Sequence, residues 1–160
     1  MKISRTIPLF PITALAAALA SSAAAAGSAG NASLVIRHQL HGCHAWSVNG
    51  DAYKPSQTLV LARGASLHVT NNDVMPHKLI ETSGPAVRFT RLGTTTGTGM
   101  AMGLKGTFPP AMLANIGARS EIAFSKPGVY HFTTKPGEDY MAGIKTIGED
   151  NVLRLTVRVR

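Results

Sequence analysis

Residues 41–44 read His-Gly-Cys-His and bring together the single cysteine and two of the six histidines of the chain. Thiolate and imidazole groups are ligands that copper and zinc prefer in proteins. His41 and Cys43 are two positions apart, so an extended segment would direct both side chains to one side, whereas Cys43 and the adjacent His44 require a turn. A further histidine, His77, follows a Met-Pro step at the end of a predicted strand. The pattern predicts a metal site, with copper as the favoured ion and zinc as the alternative.

The N-terminal residues have the features of an export signal. Lys2 and Arg5 form a short positive segment, residues 7–20 are apolar, and Ala24-Ala25-Ala26 fits a cleavage site. The apolar run is short for a membrane span, and no later run reaches ~18 apolar residues. We therefore predict a signal peptide at residues 1–26 and a periplasmic or secreted chain with no transmembrane segment after cleavage. An uncleaved anchor is the alternative.

The remaining residues, 27–160, are long enough for one domain with a two-layer core. The formal net charge of the full chain is +8, but its basic residues are spread along the sequence without a Lys/Arg run or an aromatic RNA-binding motif. Nucleic acid is therefore not an expected partner. A single cysteine cannot form an internal disulfide, so it is a free thiol, an intermolecular link or a metal ligand, and an oxidising compartment makes the ligand role more credible than it would be in the cytosol.

Short runs of β-type residues recur between Gly, Pro and Asn turns, and helical periodicity is nearly absent. Strands are expected at 34–38, 45–49, 58–61, 66–70, 78–81, 121–124, 129–133 and 153–160. The last of these alternates most clearly, with Leu153, Leu155, Val157 and Val159 on one face. Residues 83–117 lack such a pattern and are expected to form a long irregular insertion. The fold class indicated is an all-β sandwich of about seven strands.

Three segments resemble the cupredoxins, the plastocyanin-like Greek-key sandwiches. Residues 67–72 followed by Met-Pro-His at 75–77 are similar to the family's strand and Pro-His step, and residues 124–132 look like its Pro-Gly and Tyr-x-Phe hairpin. The third segment is the final alternating strand. The resemblance covers residues 34–160 apart from the insertion. It implies a Greek-key cupredoxin-like fold, with His77 as the first copper ligand.

The chain departs from the family where the copper cysteine would stand, because that position is Thr134. The second histidine of the family's ligand loop is also missing, and only Met141 is retained. A standard blue-copper centre of two histidines and a cysteine cannot be assembled from these positions. The resemblance implies that the end of the first strand lies at the same pole as the Pro-His step and the late loop. The expected metal ligands are thus Cys43, His44 and His77, completed by His41 or Met141.

Other residues with metal-binding or polar side chains receive less weight. His38 and His68 fall within strand patterns and are expected to face solvent or polar neighbours, and His131 is expected on the outer face of its strand. Trp46 is expected in the core. Asp139 could supply an oxygen ligand, although a solvated acidic loop is the simpler interpretation.

These observations predict an exported copper-binding protein that handles or transfers copper, whose partners are the copper ion and a redox or copper-donor protein. One alternative is an electron carrier in which Cys43 supplies the thiolate, and another is a metal-free interaction domain. Catalysis is not expected, because Cys43 and His44 show only adjacency in sequence. The chain also lacks a nucleophile elbow, a phosphate loop and a dinucleotide fingerprint.

Overall fold

The computed structural model describes residues 30–38, 44–93, 108–135 and 152–160. These residues form eleven strands: β1 Ala32–His38, β2 His44–Val48, β3 Ser56–Leu61, β4 Ser66–Asn72, β5 His77–Lys78, β6 Ile80–Ser83, β7 Arg88–Arg91, β8 Met112–Leu113, β9 Arg119–Ala123, β10 Gly128–Thr134 and β11 Leu153–Val159. These ranges contain no helix, and therefore no helix long and apolar enough to cross a membrane. The predicted signal peptide lies outside the described residues.

Two sheets carry most of the strands. The first has the order β2-β1-β4-β9-β7, and the second has the order β3-β11-β10-β6. One neighbouring pair in each sheet is parallel, β1 with β4 and β3 with β11, and the other pairs are antiparallel. A separate two-stranded ladder joins β5 to β8. The prediction of an all-β sandwich is confirmed.

One hydrophobic core lies between the two sheets, because both contribute inward-facing side chains to the same cluster. Strand β11 illustrates why a core forms between the sheets, since its residues alternate between buried apolar side chains and outward polar ones along the whole strand. At the centre, the ring of Phe124 contacts those of Tyr130 and Phe132 edge-on, at centroid distances of 4.9 and 6.1 Å. Trp46 is fully buried in the same cluster, as expected from the sequence.

The segment 83–117 is more regular than the sequence pattern indicates. Strand β7 forms one edge of the first sheet, and β8 pairs with β5. Strand β7 gives a weak signal because it is four residues long and its single apolar side chain is Phe89, which packs 6.4 Å from the ring of Phe132. Residues 94–107 of the predicted insertion lie outside the described part of the chain.

Three strand ends meet at one pole of the sandwich, which we call the His77 pole. Parallel pairing aligns Arg37 near the end of β1 with Asn72 at the end of β4. Strand β10 belongs to the other sheet, yet its last residue, Thr134, contacts His77 just after β4. Residues that lie far apart in sequence are thereby brought together at this end of the fold.

Candidate metal centre

His77 is the central residue of the candidate site and is completely buried. It begins β5 and is paired with Leu113 of β8. Its Nε2 lies 3.1 Å from Oδ2 of Asp73, and its Nδ1 lies 3.4 Å from Oγ1 of Thr134. Both of these neighbours are also fully buried. The imidazole is therefore held between a carboxylate on one edge and a hydroxyl on the other.

The turn between β4 and β5 fixes the position of Asp73. Asn71 Oδ1 accepts a hydrogen bond from the backbone N–H of Asp73 at 2.9 Å, and Asp73 Oδ1 accepts one from Met75 N–H at 3.0 Å. The Asn71 amide donates to the carbonyls of Met75 and Leu113, at 2.9 and 3.1 Å. Asn and Asp side chains commonly bond to the backbone two residues further on in this way. These bonds orient the carboxylate toward His77.

The contact with Asp73 determines which ring nitrogen of neutral His77 bears the proton. A carboxylate only accepts hydrogen bonds, so Nε2 carries the hydrogen and Nδ1 keeps its lone pair. Histidines that bind metals usually donate their second N–H to a carboxylate or a carbonyl, and this sets the tautomer and the ring orientation. His77 thus fits the role of a nitrogen ligand through Nδ1, with Asp73 as its supporting carboxylate.

Thr134 stands where the family resemblance places a copper cysteine, and the structure does put it beside Nδ1 of His77. Its neutral hydroxyl lacks the soft thiolate that copper prefers. In the described ranges, no group of three or more His, Cys, Asp or Glu residues is arranged to hold a metal ion. The described residues supply one suitable imidazole, that of His77, so a complete copper site needs ligands from other parts of the chain.

Three of the five predicted ligands, His41, Cys43 and Met141, lie outside the described residues. The backbone of His44 begins β2 and is the register partner of His38 at the end of β1. The structure thus describes only His77 with its surroundings, and the five-residue ligand set stays a prediction.

Sequence reasoning missed two residues of the site. Asp73 received no role in the sequence analysis, but it is fully buried and bonded to His77. His38 was expected to face solvent or polar neighbours, and its side chain is about half exposed with Nδ1 3.9 Å from Asp73 Oδ1, but its place beside the site was not predicted. Neither residue has a decisive local signal in the sequence, because the four-residue spacing of Asp73 from His77 and the two-residue spacing of His38 from Ile36 on β1 are compatible with a contact but do not show one.

The expectations for the other two strand histidines are confirmed. His68 is exposed on β4, and His131 is exposed on β10. Trp46 is buried as expected, and its indole N–H has no hydrogen-bond partner within the described ranges. None of these three residues belongs to the cluster around His77.

No family model matches the chain, and no curated protein sequence matches it. Among solved structures, it is similar to a purple cupredoxin from Nitrosopumilus maritimus, with 18% identity and a TM-score of 0.38 over 78% of this chain and 97% of that one. A multicopper oxidase from Campylobacter jejuni gives 14% identity and a TM-score of 0.44, over 82% of this chain and 30% of the oxidase.

An inclusion body protein from Burkholderia cenocepacia is matched at a comparable level, with 8% identity and a TM-score of 0.41 over 83% of this chain and 97% of that one. TM-scores this low carry no argument about family or function. The assignment as a β-sandwich rests on the strand pairing and on the shared core of the two sheets.

Proposed function

We propose that this protein is an exported, cupredoxin-like copper-binding protein that handles or transfers copper at the His77 pole. The observation that carries the proposal is the contact between Asp73 and Nε2 of buried His77. A buried imidazole whose second nitrogen keeps its lone pair is prepared to bind a metal ion without reorienting. The proposed activity is binding and exchange of the ion rather than catalysis.

The proposed ligands are His77, Cys43 and His44, completed by His41 or Met141. Chain connectivity supports this set, because Cys43 directly precedes His44 in the sequence, and the Cα atoms of neighbouring residues are about 3.8 Å apart. His44 is the register partner of His38, whose ring approaches Asp73. The segment that carries the thiol thus begins and ends at two paired residues, one of which contacts the carboxylate that orients His77.

Copper transfer is favoured over electron transfer because of Thr134. An electron carrier needs one rigid geometry that suits both oxidation states, and cupredoxin-type carriers form it with a thiolate at the position that Thr134 occupies here. A copper-handling protein needs soft ligands and exchange of the ion. Thiolate, imidazole and thioether groups supply such ligands, and thiolate and thioether select Cu(I).

One observation favours a metal-free interaction domain as a second candidate. The buried polar groups at the pole bond to each other, since Asp73 contacts both His77 and Met75 N–H, and His77 also contacts Thr134. Buried polar groups satisfied in this way can stabilise a fold without an ion. The experiment must therefore separate a metal site from a structural hydrogen-bond network.

The test is Cu(I) titration of the purified protein in competition with a chromophoric chelator. We expect one equivalent of Cu(I) per chain, a large loss of affinity in Cys43→Ser and His77→Gln, and unchanged affinity in His68→Gln, which removes an exposed histidine of β4. Because His77 is buried, thermal unfolding must show that its variant is folded. The Cys43 variant keeps the test valid if the His77 variant is not.

Visible absorption of the Cu(II)-loaded protein then separates the candidate functions. An intense thiolate-to-copper band that disappears in Cys43→Ser would favour electron transfer over copper handling. Tight Zn(II) binding without Cu(I) binding would show that the site binds zinc and that copper is the wrong metal. Binding of neither ion would contradict the proposal and favour the metal-free domain.

A further inference from the structure

Strand β3 is an outer strand of the second sheet. It pairs with β11 on one side, and no described strand pairs with its other side. The carbonyls of Pro55 and Leu61 accept backbone hydrogen bonds from Arg154 and Arg160, at 2.8 and 3.0 Å. In this parallel register, the odd-numbered residues of β3 bond to β11. The backbone N–H and C=O groups that point to the open side belong to Ser56, Thr58 and Val60.

The other three outer strands of the two sheets have features that hinder pairing with a further strand. Trp46 of β2 is bridged to Lys54, β6 has a register shift at Thr82, and β7 carries Arg88 and Arg91. Charges, bulges and covering segments are the usual means by which sheets protect their edges. Strand β3 has six residues in regular register and contains no charged residue, proline or bulge. Its open side is therefore suited to accept another strand.

Two copies of β3 are complementary when they run antiparallel about a two-fold axis at Thr58. This axis places Thr58 opposite Thr58 and Ser56 opposite Val60 of the second copy. Residues that face each other in a hydrogen-bonded antiparallel pair exchange both backbone bonds. Every outward-directed N–H and C=O group of β3 is then paired. An axis at Leu59 would pair Thr58 with Val60 but leave Ser56 beyond the partner strand.

The charge distribution allows two basic copies to approach along this edge. The chain has a formal net charge of +8, but β3 itself is uncharged, and the arginines of the outer face lie on β11, one strand further in. Neighbouring strands are about 4.8 Å apart, so the two β11 strands would be separated by about 14 Å, beyond the Debye length of about 8 Å. Lys54 and Arg63 flank β3 and would approach each other across the axis. Added salt should therefore tighten the association.

We propose that β3 is a homodimer interface, in which it pairs antiparallel with β3 of a second copy and joins the two four-stranded sheets into one. Thr58 lies at the two-fold axis, where its exposed side chain meets its own counterpart. Pairing of two short strands buries less area than a standard protein interface. We therefore expect a weak dimer, with a dissociation constant of about 10 μM to 1 mM. None of the proposed copper ligands takes part.

Sedimentation velocity of the purified protein between about 10 μM and 1 mM tests this proposal. A reductant and a chelator exclude a disulfide through Cys43 and bridging by metal ions. Thr58→Lys should weaken dimerisation at least about tenfold, because like charges directly opposite each other in paired strands are destabilising. The matched control is Val129→Lys, which adds the same charge to an exposed position of β10, two strands away from the edge. It should change the dissociation constant less than about threefold, and circular dichroism should show that both variants are folded.

A mixture of Thr58→Lys and Thr58→Glu tests the register. Each variant alone should stay monomeric, whereas the mixture should form a heterodimer, because the axis at Thr58 brings the opposite charges together. Failure of the mixture to associate would overturn the proposal. A native protein that is monomeric at about 1 mM, or a native dimer that Thr58→Lys leaves intact, would overturn it as well. The chelator makes these outcomes independent of the proposed copper function.

Discussion

Replacing Asp73 by asparagine tests how the buried carboxylate prepares His77. The backbone N–H of Met75 donates to Oδ1 of Asp73, so an asparagine at this position must keep its carbonyl oxygen on that side. Its amide NH₂ group then faces Nε2 of His77, where the carboxylate oxygen stood at 3.1 Å. Nε2 becomes an acceptor, and the imidazole proton moves to Nδ1, where Oγ1 of Thr134 can accept it.

The expected effect falls on both copper affinity and folding. With Nδ1 protonated, the lone pair proposed to bind copper is lost, and substitutions of such supporting residues commonly cost 10–100-fold in metal affinity. This corresponds to about 1.4–2.7 kcal/mol of binding free energy. The free energy of unfolding should fall by about 1–3 kcal/mol, because bonds to a charged acceptor become neutral ones.

Two measurements test Asp73→Asn. Long-range ¹H–¹⁵N NMR correlations of the imidazole report the tautomer of His77 in the copper-free protein, and competition titration reports Cu(I) affinity. The control is Asp51→Asn, which changes an exposed acid in the same way and should alter neither quantity. An unchanged tautomer together with unchanged Cu(I) affinity in Asp73→Asn would refute the reasoning.

Three further predictions concern the pole and the core. Thr134→Cys should create an intense visible absorption with Cu(II), because its thiolate would lie beside Nδ1 of His77, at the 3.4 Å contact of the native hydroxyl; a colourless Cu(II) complex would contradict this. Burial of Tyr130 raises its phenol pKa, and the charge of a nearby glutamate adds to the shift. Because Tyr130 loses its proton at a lower pH in the unfolded chain than in the folded protein, the free energy of unfolding should fall as pH rises above the ordinary tyrosine pKa of 10.0. Urea unfolding should show a flatter alkaline decline in Tyr130→Phe, and an equal decline in both proteins would contradict the assignment. Gly84→Ala should lower the free energy of unfolding in urea by about 2–4 kcal/mol, because φ is +127° and a Cβ would lie 2.9 Å from the Tyr130 backbone. The control Gly30→Ala, with open space around it, should lower it by less than about 0.5 kcal/mol. Equal effects of the two substitutions would refute the packing argument.

The sequence predicts the sandwich well where strands alternate. The inward set of β11 could be assigned from its period of two alone, because one face of this strand is buried and the other is polar. Strand β7 escaped prediction because an edge strand of four residues needs little apolar surface. The predicted strand at 78–81 is two strands in the structure, β5 and β6, since Lys78 and Ile80 pair with different partners.

The candidate site could be predicted only in part. His77 and its neighbour Thr134 follow from motifs and their order along the chain, and the structure brings them together. The role of Asp73 depends on tertiary structure, because only the folded turn reveals that this acid is buried and bonded to the imidazole. His38 likewise reaches Asp73 through the parallel pairing of β1 with β4, a long-range contact without a local sequence signal.

The central claim is that Nδ1 of His77 binds copper while Asp73 holds Nε2. The most direct measurement is the ¹⁵N chemical shift of the two ring nitrogens of His77 before and after one equivalent of Cu(I). The account predicts a large shift at Nδ1, with the proton retained on Nε2. Stoichiometric Cu(I) binding that leaves the Nδ1 signal of His77 unchanged would contradict it.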